Sequence, residues 1–108
     1  MKLENLIDYL INPMKLNILY KDFNLNLDSE AILIYMQDSL NLESKIFLFE
    51  IEETEDYQIY KKDNIEYIQL FPVDYAIELI NEDLDLMNKG YSNLAIAERL
   101  LQYRINDA

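Results

Sequence analysis

The order in which hydrophobic periodicity changes along the chain constrains its fold more than any single residue does. Leu3, Leu6, Ile7, Leu10 and Ile11 recur at i, i+3, i+4, i+7 and i+8, one face of a helix. Asn12-Pro13 ends it, because the residue before a proline is pushed out of the α region. From Lys45 the period falls to two. Phe47, Phe49 and Ile51 share one face and Ile46 and Leu48 the other, which predicts a strand over Lys45–Glu52. Tyr57–Lys61 and Ile65–Phe71 flank the turn-forming Lys62-Asp63-Asn64 and predict a β-hairpin. Within it Glu66, Ile68 and Leu70 alternate with Ile65, Tyr67 and Gln69.

After Pro72 the helical period returns. Ile77, Ile80, Leu84 and Met87 form a stripe over a helix expected from Asp74 to Asn88, with Gly90 placed as a left-handed C-terminal residue. Ser92 is a good N-cap for a last helix over Asn93–Ile105, whose apolar positions are Ile96, Ala97, Leu100, Leu101 and Tyr103. Residues 14–44 are less legible. Phe23, Leu25 and Leu27 alternate with polar residues and suggest an extended segment. Asp28-Ser29 could cap a helix over Ala31–Leu40, but Ile32-Leu33-Ile34-Tyr35 also reads as a buried strand, which would pair readily with the strands expected after it. A helix, a run of strands and two further helices, segregated along the chain, argue for an α+β fold with an antiparallel sheet covered by helices. With 108 residues and no linker or repeat, a single domain over 1–108 is expected.

Charge is the outlying feature of the composition. Nine Lys and Arg stand against 21 Asp and Glu, a formal charge of −12. A field of that sign repels phosphate backbones and anionic headgroups, so neither nucleic acid nor membrane is an expected partner; basic protein surfaces are. A purely solubilising surface would carry the same sign. The longest uninterrupted apolar run, Ala31–Met36, is far short of the ~20 residues a membrane span needs. Glu4 and Asp8 interrupt any secretory h-region, and no cysteine is present, so a soluble, cytoplasmic chain is expected.

The absent residue types also remove most catalytic chemistries. Without His or Cys there is no Ser-His-Asp triad, no thiolate nucleophile and no zinc site of the usual kind. A single Gly excludes the P-loop and the dinucleotide-binding turn. Asp83 and Asp85 have calcium-ligand spacing, but Leu94 stands where an EF-hand needs its bidentate Glu. No cofactor and no enzymatic activity are expected, although a carboxylate pair working as acid and base remains formally open.

Two acidic constellations remain. Glu50, Glu52, Glu53, Glu55 and Asp56 put five acids into seven residues, beside Tyr57 and Tyr60. Strand alternation would place Glu50 and Glu52 on one face and the others around the turn, with Glu52, Glu53 and Glu55 expendable for folding. Charge here also protects a strand edge from aggregation, but one or two charges suffice for that. Asp74, Glu78, Glu82 and Asp85 follow at i, i+4, i+8 and i+11, one face of the expected helix, with no cation before Lys89 to relieve them. Tyrosine dominates the aromatics, nine against four Phe and no Trp, and it favours contact surfaces. The first constellation, where charge and aromatics coincide, is the preferred partner-binding site, and the second ranks behind it.

Gly90-Tyr91-Ser92-Asn93-Leu94-Ala95-Ile96-Ala97-Glu98-Arg99-Leu100 resembles the opening of a LuxR-type helix-turn-helix, G-x-S-N-x-x-I-A-x-x-L. That family needs a basic recognition helix next; here the helix continues through Leu101-Gln102-Tyr103-Arg104, so the match reports a capped helix. In size, acidity and missing catalytic residues the whole chain is similar to small immunity proteins of bacterial toxin–immunity pairs, including those of contact-dependent growth inhibition. That resemblance implies a cytoplasmic inhibitor covering a cationic toxin domain, often a nuclease, and the free protein is expected to be a monomer. The alternatives are a nucleic-acid mimic that blocks a DNA-binding or phage-defence protein, and a structural adaptor subunit.

Overall fold

The computed structural model describes residues 1–83, 85, 86 and 88–106, save the side chain of Asp83. Helix α1 (Leu3–Leu10) buries Leu3, Leu6, Ile7 and Leu10, the stripe its periodicity demands. Fully burying a side chain of this size contributes about 1.5–3 kcal/mol. Its first turn is closed by Asn5, whose Oδ1 accepts the Lys2 backbone N–H at 2.9 Å.

Pro13 both ends α1 and opens a second helix, α2 (Pro13–Asp22), where the sequence predicts none. Proline at the first helical position lacks only an N–H that would have no intrahelical partner. The signal lies in Leu16, Leu19, Tyr20 and Phe23 at i, i+3, i+4 and i+7, but Met14 and Ile18, 81% and 59% exposed, blur it. Asn24 takes φ 55° just beyond the helix, with Leu25 N–H on Tyr20 O and Asn24 N–H on Lys21 O. That is a Schellman closure with Asn in place of Gly. Phe23, Leu25 and Leu27 therefore lie in the closure and the loop after it, not in an extended segment.

The sheet has the order β2-β1-β4-β3, every pair antiparallel. Ile32–Gln37 is strand β1, so the strand reading of that run holds over the helix. Strand β2 is Ile46–Glu50, shorter than expected, because Ile51–Thr54 turns into a helical segment, α3. The hairpin consists of β3 (Ile59–Lys62) and β4 (Ile65–Pro72). Its two-residue turn is Asp63-Asn64, with φ 54° and 65°, the left-handed pair that suits the twist of a hairpin.

The expected Asp74–Asn88 helix is divided. Helix α4 (Val73–Glu78) passes into a π-helical turn, Leu79–Asp83, and Asp85 is left-handed at φ 52°. Val73, Ala76, Leu79 and Ile80 face the core while Ile77 is half-buried; Leu84 and Met87 of the expected stripe lie outside the described residues. Gly90 has the expected positive φ, 74°, and Ser92 Oγ accepts the Ala95 N–H at 3.2 Å to start α5 (Asn93–Asn106). Helix α1 packs against α2, α4 and α5.

The two faces of the sheet differ in cover. Ile34, Met36, Ile46, Leu48 and Leu70 join the helices in the main core. Leu33, Tyr35, Phe49 and Tyr67 form a second cluster on the opposite face, flanked by Phe47, Tyr60, Ile51 and Ile65. A bulge lets one strand serve both. Ile34 pairs with Phe71 and Tyr35 with Gln69, so Leu70 is the extra residue. It shifts the parity of β4, leaving Tyr67 and Gln69 on the second face and turning Phe71 to the helices.

Candidate functional site

Where β2 runs out, the chain folds back over the second face, and a buried polar set fixes it there. Tyr35, fully buried, donates its hydroxyl to Tyr57 O at 2.7 Å and accepts from Gln69 Nε2 at 3.2 Å. Gln69 Nε2 also donates to Asp56 Oδ1 at 2.8 Å. Buried polar groups need such partners, and here they tie residues 56 and 57 to β1 and β4.

The five acids between Glu50 and Asp56 separate into different roles. Glu50 Oε2 accepts the Asn26 N–H at 3.0 Å. Glu52 accepts from the Ser29 hydroxyl and, at 3.0 Å, from the Glu30 N–H. Those two bonds, the Ser29 hydroxyl first, hold its carboxyl below the usual glutamate pKa. Both carboxylates thus close the 26–30 loop, although a helical turn and not strand alternation brings Glu52 there. Asp56 is committed to Gln69.

Glu53 and Glu55 face outward. Glu53 Oε2 accepts from the Tyr60 hydroxyl at 2.8 Å and from Lys62 Nζ at 3.1 Å. Burial, and then the Glu53 carboxylate, raise the pKa of Tyr60, while the same carboxylate raises that of Lys62. Glu55 takes φ 54° at the end of α3, and its carboxylate beside the Tyr57 hydroxyl pushes that hydroxyl's pKa up. Left-handed backbone is expensive for any residue with a Cβ, least so for Asn and Asp. Glu55 is the one described residue with positive φ that is neither Gly, Asn nor Asp.

Between the α3 turn and β3 lies a cleft of about 500 Å³ lined by Glu53, Glu55, Tyr57, Ile59, Tyr60 and Lys61. Tyr57 is 57% and Ile59 51% exposed, so the cleft has apolar walls open to solvent as well as carboxylates. The aromatic layer beneath is continuous, Tyr60 lying 5.2 Å from Phe49 and 6.4 Å from Tyr67 between ring centres. Lys62 Nζ sits 5.7 Å over the Phe49 ring. A depression of about 540 Å³ at residues 37–45 is lined only by polar side chains such as Asp38, Ser39, Asn41 and Glu43. Among the described residues no three acids converge closely enough to hold a metal ion, and no helix is long and apolar enough to cross a membrane.

The second acidic constellation does not form the continuous helical face expected of it. Asp74 and Glu78 are exposed on α4, Glu82 lies in the π-helical turn, and Asp85 is beyond the helix, accepting from Asn88 Nδ2 at 2.7 Å. Asp74 acts inward as well: burial first, and then its charge, push the Tyr20 hydroxyl up to about 12.

The structure therefore brings Glu53, Glu55, Tyr57 and Tyr60 together, assigns Glu50, Glu52 and Asp56 to internal bonds, and leaves Asp74, Glu78, Glu82 and Asp85 outside the cleft. Thr54, Ile59 and Lys61 also line the cleft and are not among the candidates read from sequence; an isoleucine close before two lysines in a short strand is the available cue. Compared with protein-family models, with curated proteins and with solved structures, the chain matches none.

Proposed function

We propose that this protein is a non-catalytic binding protein of the immunity type, which neutralises a basic protein domain by covering its cationic surface. The observation that carries this reading is the cleft that unites Glu53 and Glu55 with the rings of Tyr57 and Tyr60 on a chain of net charge −12. Carboxylates and aromatic faces together suit Arg and Lys side chains, through charge-assisted hydrogen bonds and cation–π contact. A nuclease domain is the favoured partner class, because a site that holds phosphate must be basic. A monomer acting in the cytoplasm belongs to the same reading.

The test is co-purification from the native host with mass spectrometry, followed by stopped-flow association of the purified pair across ionic strength. Screening shortens from about 30 Å at 0.01 M salt to about 8 Å at 0.15 M, so a charge-steered association rate falls steeply over that range. A flat dependence, or a captured partner with no basic face, overturns the reading.

A further inference from the structure

The cleft runs along a sheet edge that nothing in the described chain covers. Gln58 O accepts the Gln69 N–H at 2.8 Å, so Gln58 turns its backbone toward β4. Antiparallel ladders alternate, so Tyr60 and Lys62 also turn inward while Ile59 and Lys61 present their N–H and C=O groups outward. Those outward groups have no hydrogen-bond partner among the described residues. The opposite edge differs. On β2 the Ile46 N–H is taken by Met1 O at 2.8 Å, and Glu50 at its far end is tied to Asn26.

We infer, on the basis of the basic-partner reading above, that the outer edge of β3 is an interaction surface for an extended basic segment of a partner chain. The segment adds as a further strand beside Ile59–Lys62 and seats an Arg or Lys side chain in the cleft under the α3 turn. Main-chain bonds to Ile59 and Lys61 supply affinity, and the alternate side chains of the added strand supply specificity. Charge complementarity selects the occupant. Among the described residues only Oε2 of Glu53 is engaged, leaving Oε1 available in the cleft that Glu55 also lines. The two edge lysines do not reverse the sign of the site, because Lys62 pairs with Glu53 and Lys61 lies 3.8 Å from Glu66, which leaves the charge of Glu55 in excess. A short lysine-bearing edge does discourage pairing with a second copy. Exposed Ile59 gives the added strand apolar contact.

The experiment uses the isotope-labelled full chain and a short synthetic peptide alternating arginine and valine at low salt, with amide hydrogen exchange read by NMR. Two further peptides carry N-methyl groups on alternate residues, one set at odd and the other at even positions. Only every second residue of an added strand bonds to the edge. The expected result is slowed exchange at Ile59 and Lys61, and binding weakened about tenfold by one methylation pattern but not by the other, as for two lost hydrogen bonds. Peptide binding without protection at those amides, or equally affected by both patterns, overturns strand addition and leaves the basic-partner reading standing. Protection at Leu48 instead moves the surface to the other edge and overturns it too. No peptide binding also overturns it, while the salt dependence of the native partner decides the broader reading separately.

Discussion

Residues 50–56 and residues 74–85 carry similar acidic sequence and meet different fates. In the first segment the carboxylates find donors across the chain: Asn26, Ser29 and Glu30 on one side, Gln69, Tyr60 and Lys62 on the other. In the second, Asp74, Glu78 and Glu82 ride on a helix whose other side is buried, so they face water. The difference lies in topology. Segment 50–56 is enclosed by a loop and a hairpin that both supply N–H and O–H groups, whereas an amphipathic helix turns its polar face away from the rest of the molecule. Clustered acids in a sequence can therefore be fasteners or surface charge, and linear spacing does not distinguish them.

The largest test of that contrast is Asp56→Ala. It removes a charged acceptor from Gln69, which is 6% exposed, and places Ala at a left-handed position. Unfolding in urea at neutral pH should show a loss of about 2 kcal/mol, the range for a hydrogen bond to a charged group. Asp56→Asn, which keeps an acceptor oxygen and tolerates positive φ, should lose less than half of that. An Ala variant as stable as the parent would mean that the 51–57 segment is not fastened through Asp56.

Acidification probes Glu52. Its folded-state pKa lies below the unfolded value, so the stability it contributes is present above about pH 4.3 and is lost as pH falls through the folded value. Unfolding measured from about pH 6 to pH 3 should show the parent losing stability more steeply than Glu52→Gln, the curves converging at the acid end. Parallel curves would make Glu52 a surface charge like Glu78. Because Glu52 accepts from the 29–30 loop and Glu53 from Tyr60 and Lys62, the expectation that Glu52, Glu53 and Glu55 are expendable for folding narrows to Glu55.

The smallest effect is expected from the double variant Glu78→Gln, Glu82→Gln. Both side chains are exposed, and unfolding should change by no more than about 0.5 kcal/mol. Relief of the Asp74–Glu78 repulsion at i,i+4 makes a slight gain the expected sign, ~0.2–0.5 kcal/mol, fading with added salt. A clear loss would show that the second segment also fastens something.

The fold was legible wherever periodicity was clean. The stripe of α1, the Asp63-Asn64 hairpin and the Ser92 cap of α5 each follow from local rules about burial, left-handed backbone and orphan amides. Helix α2 was hidden by Met14 and Ile18, apolar residues left on its free side. The turn into α3 was illegible for another reason: Phe47, Phe49 and Ile51 keep a period of two straight through the end of the strand. At the cleft, sequence placed charge and tyrosine side by side but could not tell which acids were already occupied.

By itself the sequence determined an α+β fold, its acidity and the absence of histidine and cysteine chemistry, since these depend on composition and short-range periodicity. Only the tertiary structure decided which face of the sheet the longer helices cover, which carboxylates are engaged and, among the described residues, which strand edge stays open. Those outcomes depend on contacts such as Gln69 with Asp56 and Ser29 with Glu52, between residues 13 and 23 positions apart. A hydrogen bond across a fold is set by where two segments meet in space, and no local propensity encodes that meeting.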